Sequence, residues 1–395
     1  MSTLTISRQI KLVMLSEYLH SFVLLTLLSF IPLLLANLDK TGAVLSIASI
    51  LANIVVMVCL PIIASWSKAF ANYTNLILMR LVTLTILLFL LIYQSAWVLC
   101  LIQALALLIL SFQQVNSNRS LQDIGVAFTD KAVFKFEIGT AVVSFLVALA
   151  IYLVVGGEKF IVTHLIIFAI VGLILNLLCL LLLKKYLSGR IEVINSQKQD
   201  KARKSLSFSL KLLFCRAQLC FLAQRLMWFI SPLWFAKTHN ATGFINWLLV
   251  SSIGVMLAIG LVKLHARMAI SFERLFSFSN LGLVFSIALI AAYPSDTSMY
   301  IAGVMCTLAI PIHRTYTRRM AQKYESTYYS AAQLIAQGNR HIRFIHIALV
   351  MVFPLAVQAG GLQLTALLSL SVITLLALSH KVLPNPTNSF LRSES

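Results

Sequence analysis

KKYLSGRIEVINSQKQDKARKSLSFSLK, residues 184–211, is the longest polar interval in a chain of 395 residues that is 60% hydrophobic. It lies near the midpoint. On either side run apolar segments about 20 residues long, the length that crosses a bilayer as a helix. The stretch reads as the hinge between two membrane-embedded halves.

The composition supports that reading. Only 11% of residues are charged and the mean hydropathy is +0.93. A globule of this size needs more polar surface than that to face water, so lipid is the solvent for most of the chain. In lipid the backbone satisfies its own hydrogen bonds, as helices or as a closed barrel. Barrel strands alternate polar and apolar residues, and these long Leu-, Ile-, Val- and Ala-rich runs do not. The net charge of +19 belongs to the loops of a membrane protein and not to a nucleic-acid surface, because no compact basic domain carries it. Cys59, Cys100, Cys179, Cys215, Cys220 and Cys306 are scattered in or beside apolar runs and form no CxxC pair, which fits small buried hydrophobes. No metal or other cofactor is expected.

Working outward from the hinge, twelve spans are expected: 11–37, 43–64, 76–94, 96–115, 137–156, 160–183, 210–236, 243–264, 275–293, 297–319, 328–357 and 362–383. The first is too long, and lacks a cleavage pattern, for a signal peptide. With the N-terminus inside, the outer loops hold Lys40, Lys159 and Lys237. The inner loops and helix ends hold Lys68, Arg119, Lys131, Lys135, the central cluster, Lys263, Arg267, Arg274, Arg318, Arg319, Lys323 and Lys381. That bias places both termini and the hinge on the cytoplasmic side of a cell membrane. The expected organisation is a six-helix half at 1–184, a linker at 185–209, a second six-helix half at 210–383 and a tail at 384–395. The linker has no apolar periodicity and reads as a tether.

The halves echo one another. Pro32 precedes LDKTGAVLSIASI, and Pro232 precedes THNATGFINWLLVSSI; Gly156-Gly157 and Gly360-Gly361 close the fifth and eleventh spans. Parallel repeats of this kind are a transporter design. Twelve spans in two six-span halves resemble the major facilitator superfamily. The signature of that superfamily between spans two and three is degenerate here, since Ala64–Asn72 (ASWSKAFAN) lacks its Asp-Arg pair, as does the matching Lys263–Arg267 (KLHAR). The fifth span resembles the motif of drug–proton antiporters at Gly139 and at Gly156-Gly157, with Ala148 and Tyr152-Leu153 in place of its other Gly and Gly-Pro positions. The KTGAVLSIAS phrase is similar to the branch containing macrolide and siderophore exporters. The resemblance implies export. Its physical content is close helix approach at small residues.

Ionisable side chains inside a span are costly and mark candidate sites. Glu17 and His20 lie three apart on the first span, on one face. They read as a proton-coupling pair, or Glu17 pairs with a basic residue at the cytoplasmic rim. Arg225 stands in the middle of span seven within CFLAQRLMWFISPLWF, beside Gln224, with Trp228 and Phe229 at i+3 and i+4 as a candidate aromatic wall. Its fork suits a carboxylate or phosphate; a structural pair with Glu17 is the alternative. Gln333, Gln337 and Arg340, continued by Arg343, are spaced as one polar stripe of span eleven, or its arginines only follow the cytoplasmic bias. Asn53 and Asn176 are expected to hydrogen-bond between helices.

The sequence carries no P-loop and no soluble catalytic motif, so an enzyme is not expected. The expected function is secondary active transport by alternating access, with proton-coupled export of a small organic molecule, anionic or amphipathic, by a monomer. Uptake of an anionic metabolite is the alternative, and a non-transporting scaffold is the reading from another class.

Overall fold

The computed structural model describes residues 6–379 except 71–72, 94, 124–138, 140–141, 144, 150–152, 154–161, 188–207, 239–240, 269–270 and 325–330. Among the described residues every regular element is a helix: α1 (Ile6–Leu38), α2 (Ala43–Phe70), α3 (Tyr73–Ile92), α4 (Ala96–Asp123), α5 (Val162–Leu187), α6 (Phe208–Ala217), α7 (Leu219–Lys237), α8 (Ala241–Met268), α9 (Phe272–Ala292), α10 (Asp296–Lys323) and α11 (Ala331–Leu378). Further helical residues are described between 139 and 153. The described helices fall on expected spans, the seventh being split into α6 and α7 and the eleventh and twelfth lying together in α11, while most of the fifth lies outside the described residues. Five of them have a stretch long and apolar enough to cross a bilayer. The chain is an all-α, multi-pass membrane protein.

At 48 residues, α11 would reach about 72 Å as one rod, more than twice a bilayer core. It breaks at Gly360 (φ −142°) and Gly361 (φ 65°). The left-handed φ of Gly361 is open only to a residue without a Cβ, so the Gly-Gly pair separates the eleventh and twelfth spans. Pro32, Pro232, Pro311 and Pro354 lie inside helices and end none.

Residues pack into two compact units, Met1–Asn195 with Pro232–Leu249, and Ser196–Ser231 with Val250–Ser395. In the first unit α2 packs on α4, α1 on α5 and α4, and α3 on α5. Leu24, Ala106 and Ile109 form one of its cores, joined by Met79 and Ile86. The outer face of α5 presents Val171, Ile174, Leu178 and Leu181, all about half exposed. These fall at helical spacing. A helix apolar on both its inward and outward faces is one whose solvent is lipid.

Between α1 and α2 the chain turns at Asp39. Its carboxylate accepts from the Thr41 N–H (2.9 Å), the Thr41 hydroxyl (2.7 Å) and the Val44 N–H (3.0 Å). Partial burial pushes its pKa up, but the Thr41 hydroxyl and the N–H groups of Val44, Thr41 and Ala43 outweigh this and hold it below the ordinary value. Gly42 completes the turn at φ 83°. The echo at Thr242-Gly243 does not repeat this geometry, because α8 has already begun at Ala241.

In the second unit α9 packs on α10 and α11, and α6 on α11 and α10. Ser271 caps α9 by accepting the Arg274 N–H, with Glu273 in the first turn, where a carboxylate suits the helix dipole. Phe276 is the centre of an aromatic stack, 3.8 Å from Tyr316 and 4.6 Å from His313.

Candidate functional site

Arg225 is carried by α7 and is half-buried. Within its unit it meets the buried side of α11. Arg343 (7% exposed) and His346 (3% exposed) lie there, in electrostatic range of Arg225 and of each other, and His346 hydrogen-bonds the Arg225 backbone. One turn along α7 from Arg225 and two turns along α11 from His346, Phe229 and Phe353 pack with ring centroids 5.0 Å apart. Gln224 and Trp228 are half-buried on the same helix. Three basic groups beside an aromatic pair, in an apolar interior, form a place where an anionic group is favoured over a cation.

The polar residues of α11 divide between two environments. Gln337 and Arg340 are exposed, on the side of the helix that carries Phe344 and Met351. Arg343 and His346 face inward. The side chain of Gln333 is outside the described residues.

The seventh span has a break that its own sequence does not announce. At Gln218 the backbone makes two i→i+3 bonds, Gln218 N–H to the Cys215 carbonyl (3.1 Å) and Phe221 N–H to the Gln218 carbonyl (3.0 Å). This tightening separates α6 from α7. Ala217's carbonyl accepts the Thr317 hydroxyl at 2.9 Å and lies 3.2 Å from His313 Nδ1. A carbonyl can only accept, so Nδ1 carries the imidazole proton. The Gln218 amide donates to the Ile335 carbonyl at 3.0 Å. Gly338 makes room for this, since a Cβ there would come within 2.8 Å of Gln218 Nε2. Side chains of α10 thus satisfy the opened backbone, as the interior of a membrane protein requires. Discontinuous spans of this type line transport sites.

In the first unit, Glu17 belongs to α1 but its side chain is outside the described residues. His20 is fully buried. Gly139 faces Tyr18, and a Cβ there would run into the Tyr18 ring and hydroxyl. Gly156 and Gly157 lie outside the described residues. Asn53 donates to the Ser49 carbonyl of its own helix at 2.7 Å. Asn176 does link helices. It accepts from Arg80 Nε of α3 at 3.0 Å, and its amide donates to the backbone carbonyl of Ser16 on α1 and to the Ser16 hydroxyl. Arg80 is 1% exposed and was not anticipated. Its signal was present, a lone arginine in LILMRLVTLTILLFL.

No protein-family model and no curated protein matches the sequence. Solved structures do match over nearly the whole chain. The nucleoside transporter NupG is similar with a TM-score of 0.56 and 15% identity, covering 94% of this chain and 98% of that one. A POT family transporter in complex with a thioalcohol-conjugated peptide gives 0.66 and 14%, covering 95% and 96%. The human organic anion transporter MFSD10 gives 0.58 and 14%, covering 95% and 99%. At such identity the likeness is one of fold alone, and that fold is the one of the major facilitator transporters.

Proposed function

We propose that the chain is a secondary active transporter that moves a small organic molecule bearing an anionic group by alternating access, as proton-coupled export across the cell membrane. The observation that carries the choice of solute is the convergence of Arg225, Arg343 and His346 beside Phe229 and Phe353. An arginine fork recognises a carboxylate or phosphate, and the aromatic pair suits an apolar body on the same molecule. Transport proteins of the same fold support the mode of action, an organic anion transporter among them. Gly139 against Tyr18 supports export, since it occupies the first position of the antiporter-like motif. The charge bias of the loops supports cytoplasmic termini. Uptake of an anionic metabolite is the second reading, favoured by the same arginines, which set the solute and not the direction.

The test is proton flux in proteoliposomes enclosing a pH-sensitive dye, challenged with matched anionic and cationic compounds. Anionic solutes are expected to move protons against their own flow. Proton flux in the same direction as the solute would select uptake. Flux with cationic compounds alone, or none with any compound, would overturn the proposal.

A further inference from the structure

The basic groups of the candidate site lie in the second unit, on α7 and α11. On the other side of the break at Gln218 the same span continues as α6, which also packs on α11. Leu210 and Phe214 of α6 are buried in one core with Leu334 of α11, and Ile335 joins them. Gln218 ties the two spans through the Ile335 carbonyl, and Gly338 leaves room for it. These contacts bring Lys211, the neighbour of Leu210, to α11, where Lys211 and Arg340 both act electrostatically on His341.

The sorting of basic residues to helix ends accounts for Lys211 but not for His341, which stands about 15 Å along α11 from Ala331. His341 is half-buried. Its Nε2 is closed to solvent and makes no hydrogen bond among the described residues. No Asp or Glu occurs in α6, α7 or α11. Basic groups gathered in an apolar setting, on helices with no acid of their own, repel one another, and an anion relieves that repulsion.

A carboxylate or phosphate placed among Lys211, Arg340 and His341 accepts charge-assisted hydrogen bonds from an ammonium and a guanidinium, and a further bond from an imidazole N–H. Arg340 is exposed and Lys211 half-buried, so such a group can reach them. Along α11, His341 is about 7.5 Å from His346 of the deeper cluster. We propose that Lys211, Arg340 and His341 form a second anion subsite, and that the transported solute carries two anionic groups, one held there and one at Arg225, Arg343 and His346. This names the solute class of the transport site and rests on the reading of that site as one for anions.

The test is calorimetric titration of the purified protein in phosphatidylcholine nanodiscs with hexanoate, hexanedioate and octanedioate. At least one of the dicarboxylates is expected to bind about tenfold tighter than hexanoate. Lys211→Gln is expected to abolish that gain and to leave hexanoate binding unchanged. Lys211→Arg is expected to retain the gain. So is Arg274→Gln, which removes an exposed charge from the start of α9. Where Lys211→Gln does not fold, His341→Gln serves with the same expectation. Equal binding of hexanoate and both dicarboxylates overturns the proposal, as does a gain that survives the variant or one that Arg274→Gln removes as well. So does a gain abolished by adding phosphatidylglycerol to the discs, which would put a lipid headgroup in the subsite. Hexanoate binding that is lost in Arg343→Gln keeps the deeper anion site even where the subsite falls, whereas no binding of any of the three acids removes both.

Discussion

Phe229 of α7 and Phe353 of α11 pack ring against ring at 5.0 Å, one turn along α7 from Arg225 and two turns along α11 from His346, in the unit where Arg225 meets Arg343 and His346. Both rings are buried, so their contact fixes the spacing of the two helices that carry the basic groups. Phe353→Ala is expected to cost about 3 kcal/mol of stability, read as a lowered Tm in detergent. Phe353→Leu is expected to recover most of that loss.

The charge at that place is expected to govern affinity more than turnover. Arg343→Gln is expected to raise KM for anionic solutes about tenfold, the loss of one charge-assisted hydrogen bond. Affinity for neutral analogues is expected to stay constant. Initial-rate transport across the two solute series measures both.

Helix approach sets two opposite expectations for glycines of α8. A Cβ at Gly254 would strike the Val304 carbonyl and the Thr307 hydroxyl of α10, whereas a Cβ at Gly260 meets nothing. Gly254→Ala is expected to lose roughly 1–3 kcal/mol through overpacking against backbone that cannot yield. Gly260→Ala is expected to be neutral or to gain up to about 1 kcal/mol of helix propensity. Paired Tm measurements distinguish them.

Gly139 and Tyr18 form a coupled pair. Gly139→Ala is expected to lower Tm, and Tyr18→Leu, which removes the ring edge that the new methyl would meet, to restore part of it. Equal penalties in the presence and absence of the Tyr18 ring would show that the glycine serves something else.

The Asp39 turn gives a pH dependence of definite sign. Its folded pKa lies below the unfolded value, so its contribution is complete above about pH 4 and disappears as pH falls through the depressed folded value. The Tm difference between the natural protein and Asp39→Ala is expected to be constant near neutrality and to shrink in acid. A difference that grows on acidification would contradict the hydrogen-bonded turn.

The fold was legible because lipid imposes a simple grammar of apolar runs of fixed length. The same grammar flagged Arg225, and read consistently it flags Arg80 as well. The stripe on span eleven was only partly legible. Gln333, Gln337 and Arg340 are spaced as one face, but each further step of three residues turns the helix back by about 60°. That carries Arg343 and His346 round to the buried side, while Arg340 stays beside Phe344. Spacing alone does not say which of two adjoining faces a neighbour covers. The Ala217–Gln218 break was not legible at all, since neither proline nor glycine stands there.

That last feature bears on how the protein is made. The groups that receive the Ala217 carbonyl, His313 and Thr317, lie about a hundred residues downstream. While the ribosome has delivered the seventh span but not the tenth, neither His313 nor Thr317 is present to receive that carbonyl. Residues 208–237 at that moment are expected to run on without the break at Gln218, which is expected to form when α10 arrives. The break at Ala217–Gln218 is thus expected to be acquired late, and a nascent chain halted before His313 is expected to lack it.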